Sequence, residues 1–517
     1  MSSMPDGFGP DRRGAYRIAP DSILGTGSVA LPAIALASAM MLGGSGSLIP
    51  LPEIALQCLF AGLTAAWIWL RPADIRNIPR GAWIISALLL AVPLLQLLPL
   101  PPVLWQSLPG RSTEKAALEL VGEGSSWQPL SLTANRTLAS LLAMAPAAVV
   151  LVMAAAQNLK GRTILLGTMA AVALFSVLVG AAQLSGGAGN RFRFYNPDEP
   201  FLDGFQTNHN AEADVLLMGM VALAAIAAEF AAVETAAADL AGAPQFSAME
   251  LRGSGMETRV PAMASRRRPA PRLRKRPIIR GPQLGMVGAA SALLLLGVVL
   301  TASRTGIALL PAAIGAQLLI LRRWLPIPKR RGTALAVAIL AAAILALSGL
   351  AALELGALHQ HGALARVWER FHSQVELRPE IWRDSLFAMR QYWPWGAGMG
   401  SFIPVFAAAE RLEVVTGQFV NRAHNDYLEF LIEAGLPGSI AFGLICRQVT
   451  RDAWRGWRAR IAGSEAQLIC GAANLLIVSL HSLGDYPLRT ISIACMIAVS
   501  VGLLLPVRDR AKLGNGI

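Results

Sequence analysis

The feature that most constrains this chain is a series of apolar runs, each long enough to cross the roughly 30 Å hydrocarbon core of a bilayer as a helix of about 17–25 residues. About twelve such runs can be traced, centred near Leu36, Leu63, Leu90, Ala147, Val172, Val221, Leu294, Ile314, Leu340, Ile440, Leu475 and Val499. They show no period-two alternation, and a backbone in hydrocarbon must satisfy its own hydrogen bonds, so each reads as a helix. Composition agrees: mean hydropathy is +0.50 and only 15% of the 517 residues are charged, against about a quarter in soluble domains. The expected fold is an all-α polytopic membrane protein of about twelve transmembrane helices, with a long helical periplasmic loop between helices nine and ten.

Charge placement orients the spans. With Met1 inside, most of the 45 Lys and Arg fall in cytoplasmic segments: Arg12, Arg13 and Arg17, then Arg71, Arg76 and Arg80, then Lys160 and Arg162, a heavily basic stretch at 252–280, and further clusters at 322–331, 447–460 and 508–512. This is the excess that the positive-inside rule demands. The expected division is a cytoplasmic tail at 1–28, helices one to nine at 29–352 with a basic cytoplasmic loop at 234–283, a periplasmic loop at 353–426, helices ten to twelve at 427–506 and a cytoplasmic tail at 507–517. The first span is followed closely by a second, so it reads as an anchor and not as a cleaved signal. The net charge of +13 lies in short connectors beside spans, where anionic membrane lipids are the expected contact and nucleic acid is not. Cys58, Cys446, Cys470 and Cys495 sit in or beside apolar runs without paired spacing, which reads as small core residues and indicates neither a disulfide framework nor a zinc site.

Three outward segments exceed a simple turn, at 106–136, 185–210 and 354–426. The last is longest, has helical periodicity at 365–371 and 381–392, and holds His359, His361, His372 and His424. A loop of that length with its own secondary structure usually has a task. The first three of these His read as solvated loop residues, since no convincing Cys or carboxylate companion makes a metal site. The stretch Trp393-Pro394-Trp395-Gly396-Ala397-Gly398-Met399-Gly400 lacks the strand and helix of a nucleotide loop and reads as a turn that lets backbone pack closely.

At the end of the long loop, His424 is followed by Asp426, Glu429 and Glu433. Spacings of three and four put these carboxylates on one helical face. A first-turn acid complements the helix dipole, which suffices for Asp426. Glu433 lies about two turns further in, where an ionisable group needs a partner or a function. Arg304 interrupts two apolar runs in Thr301-Ala302-Ser303-Arg304-Thr305-Gly306, and a guanidinium at a membrane surface can grip a lipid-linked pyrophosphate bidentately. In Arg378-Pro379-Glu380-Ile381-Trp382-Arg383, Pro379 starts a helix. Asn208, His209 and Asn210 stand at the outward start of a span, where capping competes with acceptor binding. Asp485, in an outward turn, reads as a structural residue able to pair an Arg.

Several of these stretches together resemble one family. The segment His424-Asn425-Asp426-Tyr427-Leu428-Glu429 with Glu433, Gly435 and Gly438 is similar to the signature of the O-antigen ligase and polymerase family, the Wzy C-terminal domain family. In order along the chain, matching stretches are Trp127 to Thr133, Gly204 to Ala211, Ser303 to Gly306, Arg378 with Trp382 and Arg383, and Gly396 to Gly400. The resemblance implies a membrane enzyme of the bacterial inner membrane, with both termini cytoplasmic and its active site facing the periplasm. Such an enzyme moves a glycan from an undecaprenyl-diphosphate carrier to an acceptor, which is lipid A core for a ligase and a carrier-linked glycan for a polymerase. It implies Arg304 and Arg378 as diphosphate-binding cations, His424 as the base near the acceptor hydroxyl, and Arg383, Asn425, Glu433, Asn208, His209 and Asn210 as substrate-binding residues. It implies no metal, nucleotide or other cofactor. A transporter or flippase is the alternative from another class, but transporters commonly carry two related halves, and the polar content here is concentrated in one late loop.

Overall fold

Long apolar runs close their hydrogen bonds within the segment, and the computed structural model is accordingly helical, with almost no sheet. It describes residues 27–45, 50–185, 190–195, 200–241, 281–322, 377–415, 417, 419–459 and 464–507. Among these are α1 (Gly27–Leu42), α2 (Pro50–Leu70), α3 (Pro72–Ile75), α4 (Arg80–Gln96), α5 (Pro102–Trp105), α6 (Ser112–Leu120), α7 (Ala134–Ala155), α8 (Leu159–Ser185), α9 (His209–Ala241), α10 (Gly281–Leu300) and α11 (Arg304–Leu321). They continue with α12 (Arg378–Tyr392), α13 (Phe402–Ala409), α14 (Asp426–Ala459), α15 (Ser464–His481) and α16 (Ile491–Leu504). A two-residue antiparallel pair, β1 (Pro99–Leu100) on β2 (Gln128–Pro129), is the one small sheet among the described residues.

Seven helices are long and apolar enough to cross a membrane, namely α2, α7, α8, α9, α10, α11 and α14, and α1, α4 and α16 are shorter apolar helices. Each expected span centre except Leu340 falls in a described helix, with Leu475 in α15. Leu340, the helical period at 365–371, the basic stretch at 252–280 and His359, His361 and His372 lie outside the described residues. The second expected loop helix is α12. The molecule is an all-α polytopic membrane protein.

Helix α9 is the central strut. Its apolar window is 72% buried, against 17% for α2 and 22% for α10. It packs on α8, α10, α11 and α15. Small residues permit the close approach: a Cβ on Gly219 would lie 2.6 Å from that of Ala173, and one on Gly297 would lie 2.8 Å from Leu216 and Val177. Interfaces of small residues are how helices associate where no water drives them together. Outward faces carry Ile54, Trp69, Phe230 and Ile440 exposed, as lipid-facing surfaces do. Cys470 and Cys495 are buried as expected, but Cys58 and Cys446 are exposed. The apolar character of their helices marked membrane, and did not mark which face turns inward.

The Trp393–Gly400 turn packs backbone against backbone as expected. Helix α14 breaks at Gly435 (φ 56°, ψ −151°), and the turn docks into the break: Leu436 N–H donates to Pro394 O at 2.7 Å, Ala397 N–H to Ile432 O and Gly398 N–H to Glu433 O at 2.9 Å each. The segment after β2 closes the other side, where Leu132 N–H donates to Ala397 O. Gln96, at the end of α4, joins both layers by donating to Glu433 O and accepting from Met399 N–H.

A Cβ on Gly435 would meet Pro394 O at 2.4 Å and would have to occupy positive φ. Gly435→Ala is expected to destabilise the protein by about 1–3 kcal/mol. Gly443→Ala, in the same helix with nothing within 4 Å of the new methyl, is expected to be neutral or stabilising by about 0.5–1 kcal/mol. Thermal unfolding of the detergent-solubilised variants checks the contrast.

Candidate functional site

The helix face carrying Asp426, Glu429 and Glu433 forms as the spacing predicts, and all three carboxylates are buried. Their shared partner is Arg489, in the 3₁₀ turn Pro487–Arg489: Nε lies 3.5 Å from Asp426 and 3.4 Å from Glu429, and Nη1 lies 2.7 Å from Glu433. Burial alone would lower the Arg489 guanidinium, but Glu429, Glu433 and Asp426 outweigh it and raise it above its usual range. Arg422 adds a second cation at 2.9 Å from Glu429. Asp426 therefore does more than complement the helix dipole, since its Oδ2 accepts from Ser482 Oγ–H and Leu488 N–H. Glu433, expected on the substrate side, has its two oxygens occupied by Arg489 and by Phe402 N–H.

This network fixes the loop that presents His424. Ala423 N–H donates to Glu429 Oε2, Asp426 N–H donates to Ser482 O and Asp485 O, and Asn425 caps the helix by accepting from Leu428 N–H while donating to Leu483 O. Asn425, an expected substrate ligand, is thus a clamp between two segments. Between them His424 is held at φ 49°, a conformation that non-glycine residues seldom adopt.

The partner of His424 is Asp485, at 3.3 Å from Nδ1 to Oδ1. Asp485, read from the sequence as a structural residue able to pair an Arg, faces a histidine, with the charge of Arg378 also within reach. Burial would push its carboxyl up, but the hydrogen bond with His424 and the nearby His481 and Arg378 outweigh that and hold it at about 2. An ionised carboxylate accepts only, so Nδ1 carries the proton, and the neutral form of this imidazole has its lone pair on Nε2. The His424 ring stands edge-on to Tyr486 at 5.1 Å. Burial, reinforced by Asp485, pushes the Tyr486 phenol up, which leaves it a protonated neighbour and no rival base.

Some of the other expected residues lie near the same turn and some do not. Trp382, one turn beyond Arg378, donates from its indole to Ala423 O at 3.0 Å, so α12 is fastened beside His424. Arg411 holds the helix from behind through Asp384, at 2.6 Å, and Glu380. Arg383 lies on the exposed face of α12. Arg304 opens α11, whose start is capped by Ser303 Oγ accepting from Gly306 N–H. Thr305 sits 3.9 Å from where a Cβ on Gly484 would be, which brings the start of α11 against the Asp485 turn. Asn208 accepts from Asn210 N–H at the start of α9, as a cap should, and bonds to the Tyr486 side chain. His209 packs edge-on against Phe201 at 5.3 Å. Asn208, Asn210, Asp485 and Tyr486 line one small cleft.

Sequence reasoning missed Arg489 and undervalued Asp485. The available signal was that both are ionisable and stand between two apolar runs, where such groups need partners.

The fold is that of a polytopic membrane protein, and a family match over part of the chain supports a glycosyltransferase-like role in polysaccharide biosynthesis. Residues 289–443 match the family model described as O-Antigen ligase. The matched stretch contains Arg304, Arg378, His424 and the Gly435 break. No curated protein matches the chain.

Removing the cation that three buried carboxylates share leaves them uncompensated. Arg489→Met is expected to cost about 3–5 kcal/mol, read as a lowered unfolding midpoint in detergent. The Asp485 carboxyl is held below its ordinary 3.8, so its pairing contributes stability above that value and loses it as pH falls towards about 2. The margin in unfolding midpoint between wild type and Asp485→Asn is expected to persist at about pH 5 and to shrink between about pH 4 and about pH 2.

Proposed function

We propose that this protein transfers a glycan from an undecaprenyl-diphosphate carrier to an acceptor hydroxyl at the periplasmic face of the bacterial inner membrane, in the manner of an O-antigen ligase. The observation that carries the reading is the His424–Asp485 pair, beside a helix start bearing Arg378 and a turn abutted by the start of α11 with Arg304. In this reading His424 Nε2 takes the proton of the acceptor hydroxyl as its oxygen bonds to the anomeric carbon. The bond from that carbon to the diphosphate oxygen breaks, and its electron pair leaves with the diphosphate. Arg304 and Arg378 stabilise the charge that develops there. Asp485 is a positioning residue that holds the imidazole in the tautomer the step needs. A single displacement that inverts the anomeric centre needs only these elements.

Charge supports the periplasmic side. The site gathers the starts of α9, α11, α12 and α14. The opposite end carries Arg71, Arg76, Arg80, Lys160, Arg322, Arg447, Arg451, Arg455 and Arg458, the excess that the positive-inside rule expects of a cytoplasmic end.

Deletion of the gene followed by size separation of envelope glycans tests the reading. Bare lipid A core, with long polymer still on the carrier, is the expected outcome. Core capped by one repeat indicates the polymerase alternative, and unchanged glycans of every kind would sink the enzymatic reading. In the complemented strain, His424→Ala is expected to lower transfer by about 10²–10⁴-fold.

A further inference from the structure

Helix α14 carries a charged row at the end opposite His424 that the transfer step does not use. Its height in the bilayer follows from α4, the helix it packs against. At one end of that pair Gln96 donates to Glu433 O. At the other, a side chain on Gly81 would strike Asp452 and Gln448. From Glu433 to Asp452 is about 19 residues, or about 28 Å of helix at about 1.5 Å each, close to the roughly 30 Å of a hydrocarbon core. Asp452 therefore lies near the headgroup boundary at that end, and α14 continues past it to Ala459.

One face of the helix runs through both zones. Leu436, Ile440 and Leu444 are exposed on it, as lipid-facing residues are. Steps of three and four carry the same face on to Arg447, Arg451, Trp454 and Arg458, all of them exposed, with exposed Arg455 and Trp457 on its flanks. Arg447, one turn short of the boundary, can reach it by extending its side chain along the helix. Four guanidiniums thus stand against one carboxylate, Asp452, which lies 3.8 Å from Arg455. Among the described residues Arg447, Arg451 and Arg458 have no acidic partner. Arg458 instead lies over the Trp454 ring, 4.9 Å from its centroid. A merely solvated charged face has no use for two indoles, whereas the boundary of lipid and water, apolar on one side and wet on the other, suits them.

We propose that this row binds the headgroup phosphates of anionic phospholipids in the leaflet at that end of the bundle. The guanidiniums grip phosphate oxygens, and Trp454 and Trp457 lie at the acyl boundary. A zwitterionic headgroup would bring a cation with each phosphate and leave the arginine excess unbalanced, so the row selects lipids of net negative charge. The inference does not rest on the glycosyl-transfer reading. It fixes how high α14 stands in the bilayer, and the other end of α14 holds the Arg489 cluster.

Thermal unfolding of the full-length protein in detergent tests this, with dioleoyl phosphatidylglycerol or dioleoyl phosphatidylcholine added at equal concentration. Phosphatidylglycerol is expected to raise the wild-type midpoint by about 3 °C or more beyond phosphatidylcholine. The triple variant Arg447→Gln, Arg451→Gln and Arg458→Gln is expected to lose most of that difference. The variant Arg76→Gln, Lys160→Gln and Arg322→Gln removes equal charge from the same end and is expected to keep it. Each shift is read against the same variant without lipid, and native mass spectrometry of retained phosphatidylglycerol gives a readout that needs no unfolding transition. Equal responses to the two lipids, an undiminished difference in the row variant, or an equal loss in the control variant overturns the site. Stabilisation by inorganic phosphate as strong as that by phosphatidylglycerol would put a free anion in place of the lipid and overturns it too.

Discussion

One guanidinium organises the end of the bundle where the chemistry is proposed. Arg489 is held by carboxylates on three successive positions of the α14 face, and those carboxylates in turn hold Ala423 N–H, Ser482, Leu488 N–H and Phe402 N–H. The turn after α15, the loop before α14 and the start of α13 are therefore referenced to a single charge. Burying such a cluster gains little net energy over a hydrophobic packing of the same volume. What it supplies here is registry: each group has one geometry in which all partners are satisfied, so His424 and Asp485 arrive at a fixed separation.

The same end of the molecule separates charge by sign at short range. Three carboxylates of α14 are paired with Arg489 and Arg422, which offset most of their charge and keep them from competing with Asp485 for His424. Asp485 can then act on the imidazole alone, with Arg378 near enough to favour its ionised form. Without that pairing, an acidic helix start would repel the diphosphate that the proposed reaction must accommodate.

Spans were legible in the sequence because a bilayer demands about 20 apolar residues and permits little else. The α14 acid face was legible because helical period converts spacing directly into direction. The glycine turn was legible as a turn, but its docking partner was not: nothing local says that Gly396 and Gly435, far apart in the chain, each make room for the other's backbone. The identity of long-range partners was likewise hidden. Asp485 could be recognised as needing a counter-ion, yet whether that was an arginine or His424 depended on where two turns meet. Trp382 carries no charge and offered no reason to expect that its indole would fasten Arg378's helix to Ala423.

Backbone strain falls where this arrangement would need it. Among the described residues the two non-glycine positions with positive φ are His424 and Ala302. One is the proposed base and the other lies two residues before Arg304. Each such conformation costs about 1–3 kcal/mol and persists only where its surroundings over-determine it. Around His424 they do, through Glu429 on one side and Ser482 and Asp485 on the other. Around Ala302 they do through Ser303, which caps α11, and through Leu300 O, which accepts from Leu202 N–H. A relaxed backbone at either position would change the direction in which the imidazole or the guanidinium leaves the chain. The strain at His424 is thus part of what sets the imidazole beside Asp485 before any substrate arrives, so that the glycan-transfer step proposed for it would begin from a preorganised base.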